Sequence, residues 1–105
     1  MLNSYNKEDK YVTAETLGTL GDTHHHLGNY PQAIDYHRQA LELNRHLGDH
    51  YAEAETLARL GDAYEAAAEP DAAQDTWRQA AAILRDLHHP DAALVLAKLN
   101  KLPPR

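Results

Sequence analysis

The sequence of 105 residues contains no cysteine, no phenylalanine, one tryptophan and one methionine. Without cysteine the chain can form neither disulfides nor thiolate metal sites, and it has no thiol nucleophile. Because large apolar side chains are scarce, most of the 43% hydrophobic residues are alanine and leucine. The layers of a core built from them must approach one another closely over small side chains.

Long apolar runs and an excess of positive charge are also missing. No stretch approaches the ~18 apolar residues of a membrane-spanning helix, and the first ten residues lack the apolar segment of a signal peptide. The formal net charge is −6, which opposes binding to a phosphate backbone. We therefore predict a cytoplasmic chain that contacts neither nucleic acid nor membrane directly.

A segment of 40 residues occurs twice in the sequence. Laying residues 11–50 over 51–90 without a gap gives 15 identities, concentrated in the boxes Ala14–Asp22 and Ala54–Asp62. A third, partial copy begins at Asp91. The predicted organisation is an N-terminal extension (1–10), a repeat domain (11–102) with units at 11–50, 51–90 and 91–102, and a tail (103–105).

Each complete unit has the pattern of two helices. Apolar or small residues recur every three to four positions over 11–27, 31–47, 50–67, 71–87 and 91–101. Glycine after a segment favours a left-handed helix end, and Asp49 is a candidate N-cap. No segment alternates with period two. Because connections of two to four residues make neighbouring helices antiparallel, we predict an all-α, right-handed solenoid of about five helices.

Both units share one spacing of small and bulky residues. The matching segments are Leu20-Gly21-x-x-His24 with Leu60-Gly61-x-x-Tyr64, and Ala33…His37…Ala40 with Ala73…Trp77…Ala80. We expect Gly21 and Gly61 to allow close helix approach, with His37 and Trp77 filling the space. This pattern resembles the tetratricopeptide repeat, a resemblance that implies a non-enzymatic module for protein–protein interaction.

The repeat differs from the typical pattern of that family in two features, which point to a subclass with longer repeats. The family's typical repeat has about 34 residues, and Arg45 and Arg85 stand where it usually has proline. The long unit is similar to repeats of bacterial signalling regulators and cortical-polarity scaffolds. The segments around Trp77 and His88-His89-Pro90 resemble the C-terminal repeats of actinobacterial antibiotic-regulatory transcription factors, which implies a role in transcription regulation or signalling.

Histidines and carboxylates raise the possibilities of a metal site and an active site. His24, His25 and His26 are consecutive, so on a helix their side chains point ~100° apart, and we expect His24 to pack in or beside the core. The carboxylates on the first helices have no nucleophile–base pair and no glycine-rich phosphate loop beside them. We predict no catalytic residue, no cofactor and no metal.

The resemblance also implies a concave face, lined by the first helix of each unit, that binds a protein or peptide. The positions expected to contact this partner are Glu15, Thr19, Asp22, His26, Asn29, Glu55, Arg59, Asp62, Glu65 and Glu69. Arg59 is their only fixed positive charge, so a basic or neutral segment is expected to suit them.

A second hypothesis is structural. A solenoid of two units leaves an apolar face at each end unless a helix covers it. Residues 91–101 are expected to cap one end, whereas nothing equally apolar precedes Tyr11. The chain could then serve as a capping or oligomerisation segment of a larger solenoid, with its N-terminal face against upstream repeats or another copy of itself.

Overall fold

The computed structural model describes residues 7–101, which form five α-helices and no strand. The helices are α1 (Lys7–His26), α2 (Tyr30–Leu47), α3 (His50–Ala66), α4 (Pro70–Asp86) and α5 (Asp91–Lys101). The predicted all-α fold of helix pairs is confirmed. None of these helices combines the length and apolarity that crossing a membrane requires.

The first helix begins four residues before the predicted start at Tyr11. Residues 7–10 carry no apolar side chain and so gave no periodic signal, but Glu8 and Asp9 place negative charge in the first turn of α1, where the helix dipole favours it. These residues therefore belong to α1, which begins within the predicted extension (1–10). The rest of the predicted extension (1–6), Leu102 and the tail (103–105) lie outside the described residues.

The helix ends follow simple local chemistry. Gly28 and Gly48 adopt left-handed conformations with φ of 79° and 69°, which glycine reaches without steric cost. The Asp49 carboxylate accepts a hydrogen bond from the Ala52 amide at 3.1 Å and caps α3 as predicted. Between α3 and α4, Ala68 (φ 61°) adopts the same left-handed conformation although it is not a glycine.

The helices pack as two antiparallel pairs, α1–α2 and α3–α4, with α5 against α4. The apolar core is centred on the second pair, where Trp77 is 1% exposed beneath α5. A Cβ on Gly61 would overlap the Trp77 ring, and one on Gly21 would lie 2.6 Å from the His37 ring. The expected packing of a bulky ring on a glycine is thus present in both units.

Candidate functional site

The first helices α1, α3 and α5 enclose two adjoining cavities along one face of the molecule. The cavity between α1 and α3 has a volume of about 220 Å³ and includes Glu15, Thr19 and Arg59 in its lining. The cavity between α3 and α5 is larger, about 500 Å³, and its lining includes Arg59, Leu94 and Lys98. We call the two together the concave groove.

Across the groove, an ion pair joins α3 to α1, and another joins α5 to α3. Arg59 of α3 reaches back to Asp22 of α1, with Nη1 3.4 Å from Oδ2, and also approaches Glu55 at 3.7 Å. Lys98 of α5 reaches back to Asp62 of α3, with Nζ 2.6 Å from Oδ1. Because Asp22 and Asp62 are equivalent positions, Lys98 takes in α5 the place that Arg59 takes in α3.

In this correspondence α5 aligns with α3 at a spacing of 39 residues, one fewer than the period of the two complete units. With a shift of 39, Val95 corresponds to Thr56 and Leu99 to Leu60, and Val95 is buried as Thr56 is. The same shift places Asn100 at the position of Gly61. α5 therefore has a side chain at the position where Gly61 admits the Trp77 ring.

α5 also changes the chemistry of the groove. At the positions of Glu15 and Glu55 it has Leu94, whose side chain is 64% exposed. Leu94 lines the larger cavity together with the methyl-bearing side chains of Ala58 and Val95. An apolar patch exposed inside a concave surface indicates a binding site more specifically than a single exposed leucine elsewhere would.

The two cavities differ in charge. The α1–α3 cavity is acidic, because its only fixed cation is Arg59; its carboxylates are Glu15, Asp49 and Glu55. The α3–α5 cavity is balanced. Its charged lining consists of Glu55, Asp62, Asp91, Arg59, Lys98 and Lys101. The sequence-based set did not include α5 and therefore missed both lysines and Leu94; comparing 91–101 with 52–62 after a one-residue shift would have found them.

The predicted contact residues divide into two groups. The structure brings five of them to the cavity walls, namely Glu15, Thr19, Glu55, Arg59 and Asp62, and joins Asp22 to these through Arg59. The other four, His26, Asn29, Glu65 and Glu69, are exposed near helix ends and lie outside both cavities. His26 bonds within its own helix, with Nδ1 2.7 Å from the Asp22 carbonyl oxygen.

A buried histidine lies directly behind the groove. His37 is 1% exposed, and its Nε2 is 3.5 Å from Oδ1 of Asp22, while its Nδ1 has no hydrogen-bond partner. Burial lowers the pKa of His37 below 6.5, and the Asp22 carboxylate only partly opposes this shift. Asp22 therefore faces the neutral ring of His37 on one side and the Arg59 guanidinium on the other.

Tyr51 closes one end of the larger cavity. Its ring centroid is 4.9 Å from that of His89, and the pKa of the Tyr51 hydroxyl is raised, first by the Glu55 carboxylate. The hydroxyl therefore stays protonated at neutral pH and can donate or accept a hydrogen bond. It adds a neutral polar group to a lining that also contains six charged side chains.

Two further histidines, His24 and His25, pack against aromatic rings. His24 is half-buried as expected and stacks on Tyr36, with ring centroids 5.2 Å apart, and His25 meets Tyr30 edge to face. Within residues 7–101, no three side chains of histidine, aspartate or glutamate come together as a metal ion would require.

Comparison with known proteins agrees with this architecture. The profile of the tetratricopeptide-repeat family matches residues 12–86, which span both helix pairs. The comparison with curated proteins gives no significant match, and neither does the comparison with solved structures. Domains of this family are typically non-enzymatic modules for protein–protein interaction. The chain belongs to the tetratricopeptide-repeat family.

Proposed function

We propose that the concave groove binds a segment of a protein partner, and that the apolar patch at Leu94 is the centre of recognition. The exposed Leu94 beside Ala58 and Val95 is the observation that carries this proposal. The partner segment places an apolar side chain on this patch, because burial in a desolvated pocket supplies most of the binding energy at such sites. The surrounding ion pairs orient it.

The charges of the groove define the rest of the segment. Next to the patch, Lys98 is paired with Asp62, and Lys101 stands where the other two units have an aspartate, Asp62 and Asp22. Towards α1 the lining becomes acidic through Glu15 and Glu55. A segment with neutral or acidic residues beside its apolar anchor and basic residues at its far end matches this gradient.

A matched pair of leucines tests the site. Peptides selected on the wild-type chain from a displayed library should lose at least tenfold in affinity when Leu94→Glu is introduced. Leu27→Glu is the control, because Leu27 is 68% exposed and lies outside both groove cavities. Equal effects of the two substitutions, with unchanged circular dichroism, would remove the groove as the binding site.

We further propose that this interaction serves a cytoplasmic regulator of bacterial transcription or signalling. The support is the resemblance carried by the segments around Trp77 and Pro90 and by the long repeat unit. In the source organism, Leu94→Glu at the chromosomal locus should change the transcripts of a limited gene set, whereas Leu27→Glu should not. Identical transcript profiles in the wild-type strain and in both variant strains would contradict this role.

The second candidate function is that of a structural segment in a larger helical array. It is favoured by α5, which closes one end, and by the opposite α1–α2 end, where Val12 is 65% exposed and Leu17 and Leu20 are only half-buried. Sedimentation over a wide concentration range tests the version in which copies of the chain associate through this end. A monomer at all concentrations rules that version out.

A further inference from the structure

Four side chains at the centre of the concave groove form a series in which basic and acidic groups alternate. In order, they are His37 of α2, Asp22 of α1, and Arg59 and Glu55 of α3. We call them the ion-pair series. Its first member, His37, is a buried titratable ring, and its last member, Glu55, lines both groove cavities. The series therefore joins the core to the binding surface, so its role rests on the function proposed above.

The contacts within the ion-pair series are loose. Asp22 Oδ1 is 3.5 Å from His37 Nε2, and Asp22 Oδ2 is 3.4 Å from Arg59 Nη1. Arg59 Nη2 is 3.7 Å from Glu55 Oε2. All three distances exceed the ~2.7–2.9 Å of a charge-assisted hydrogen bond between nitrogen and oxygen. The Asp22 carboxylate is thus shared between two partners, and the Arg59 guanidinium is shared between two carboxylates.

The second unit shows the contrasting arrangement. Its equivalent aspartate, Asp62, is held by Lys98 through one short contact, with Nζ 2.6 Å from Oδ1. At the position of His37 it has Trp77, whose indole N–H donates to the Ala58 carbonyl oxygen and does not titrate. Of the two units, the first alone combines a titratable buried ring with a loosely held carboxylate.

The charge of the ion-pair series depends on His37. Burial lowers the pKa of His37, so the ring is neutral at neutral pH. Two carboxylates then face one guanidinium, which leaves one negative charge without a partner. Arg59 is nearer to Asp22, and Glu55 lies on the walls of both cavities. Glu55 is therefore the carboxylate that offers this charge to the cationic side chain of a partner.

A proton on His37 changes the balance. A buried cation needs a charged partner, and the Asp22 carboxylate already lies within ion-pair distance of the ring. Arg59 then competes with a second cation for Asp22, while Glu55 is available to it one turn back on its own helix. The charged or titratable groups that act on His37 are Asp22 and His25 from α1 and Arg59 and Asp62 from α3.

We infer that the groove receives a lysine or arginine side chain of its partner on Glu55, and that a proton on His37 closes this position by moving Arg59 from Asp22 onto Glu55. Binding of the basic side chain and protonation of His37 then oppose each other. Because coupling between two binding events is reciprocal, a bound basic segment also favours loss of the proton from His37. The groove holds basic partners at neutral pH and releases them in acid.

The affinity of peptides as a function of pH tests this inference. Histidine-free peptides selected on the wild-type chain at neutral pH should carry lysine or arginine. Their affinity should fall about fivefold once the pH is below the pKa of His37, a coupling at the lower end of the usual range. His37→Phe and Glu55→Gln should each remove this pH dependence. Glu65→Gln is the control and should retain it, because Glu65 is exposed and lies outside both cavities.

The outcomes separate this inference from the proposed function. Peptides whose affinity does not change with Leu94→Glu bind elsewhere, and they contradict the proposed function. Peptides that depend on Leu94 but carry no basic residue overturn the inference alone. The same conclusion follows if peptides that depend on Leu94 bind equally well above and below the pKa of His37.

A second measurement needs no ligand. Titration of the histidine ring resonances by NMR gives the pKa of His37 in the full chain. Arg59→Gln should raise this pKa, because the guanidinium lowers it. Arg78→Gln is the control and should leave it unchanged, since Arg78 is an exposed residue of α4 that approaches Asp75. An unchanged titration of His37 in Arg59→Gln would overturn the inference even where peptides bind as expected.

Discussion

Equivalent residues of the two units differ in burial although the sequence repeats them. Leu57 and Leu60 in the second unit are buried, whereas Leu17 and Leu20 in the first are only half-buried. The reason is that the second pair has neighbours on both sides, α1–α2 and α5, whereas the described first pair has a neighbour only on one. Burial in a stacked array is therefore set by the neighbouring unit as much as by the residue.

The ring at the centre of each unit shows the same asymmetry. The Trp77 indole N–H donates to the Ala58 carbonyl at 3.1 Å. His37 occupies the equivalent site, but its buried Nδ1 has no partner, and an unpaired buried polar atom costs about 1–3 kcal/mol. The second unit is thus better packed and better hydrogen-bonded, and the following substitutions test that difference.

The largest expected effect is that of Trp77→Ala. Removing a fully buried ring from the main core should lower the free energy of unfolding by ~3–5 kcal/mol, enough to unfold much of a small domain. His37→Ala should cost clearly less, because the imidazole buries less apolar surface and its loss also removes an unpaired nitrogen. Urea unfolding followed by circular dichroism measures both; equal losses would contradict the asymmetry.

Adding one methyl group beneath each ring should have the next largest effect. Gly61→Ala forces a Cβ into the Trp77 ring, and such overpacking costs ~1–3 kcal/mol. Gly21→Ala should cost less, since His37 has no hydrogen bond like that of Trp77 to hold it in place. Gly18→Ala is the control: no atom lies within 4 Å of the added methyl, so helix propensity should stabilise the chain by ~0.5–1 kcal/mol. A destabilised Gly18→Ala variant would contradict this account.

The loop within each helix pair has a residue with positive φ, a glycine in the first pair and an alanine in the second, so the two residue types can be interchanged as a test. Gly28 and Ala68 are equivalent and both have positive φ, a conformation that costs a residue with a Cβ ~1–2 kcal/mol. Gly28→Ala should therefore lower the melting temperature, and Ala68→Gly should raise it by a smaller amount, because glycine also gains entropy in the unfolded chain. Calorimetry of both variants checks the prediction, which requires shifts of opposite sign.

The smallest effect expected is in the pH dependence of stability. His37 has a pKa below 6.5 in the folded chain, so as the pH falls through 6.5 the unfolded chain binds more protons and stability decreases. The loss continues until the pH passes below the folded pKa of His37. The His37→Phe variant should lose less stability over this range. Parallel curves for wild type and variant, from urea unfolding at a series of pH values, would show that His37 is not responsible.

The fold could be predicted because its signal is repeated. Glycine at positions 21 and 61 has one physical use in a helix of this kind, which is to admit the ring that follows in the next helix. The start of α1 was missed because Lys7–Lys10 form exposed or half-buried helix without an apolar residue. Hydrophobic periodicity reveals the helices that pack against a core, and it gives no signal for an exposed helical turn.

The site was less predictable than the fold. Glu15, Glu55, Arg59 and Asp62 were assigned to the groove through the family resemblance, and the structure places them on its walls. Leu94 was not assigned, because a single residue less between α3 and α5 breaks the 40-residue alignment. The unpaired nitrogen of His37 also has no sequence signature, since it depends on which carbonyl a ring of that size can reach.

The ion pairs between successive first helices contribute little to the spacing of these helices. α1 and α3 touch each other much less than each touches α2, and Arg59 and Asp22 are both substantially solvent-exposed. Exposed pairs of this kind contribute at most ~1 kcal/mol and weaken with salt. The width of the groove is therefore set mainly by α2 and α4, which pack against the first helices on either side, and only weakly by these ion pairs.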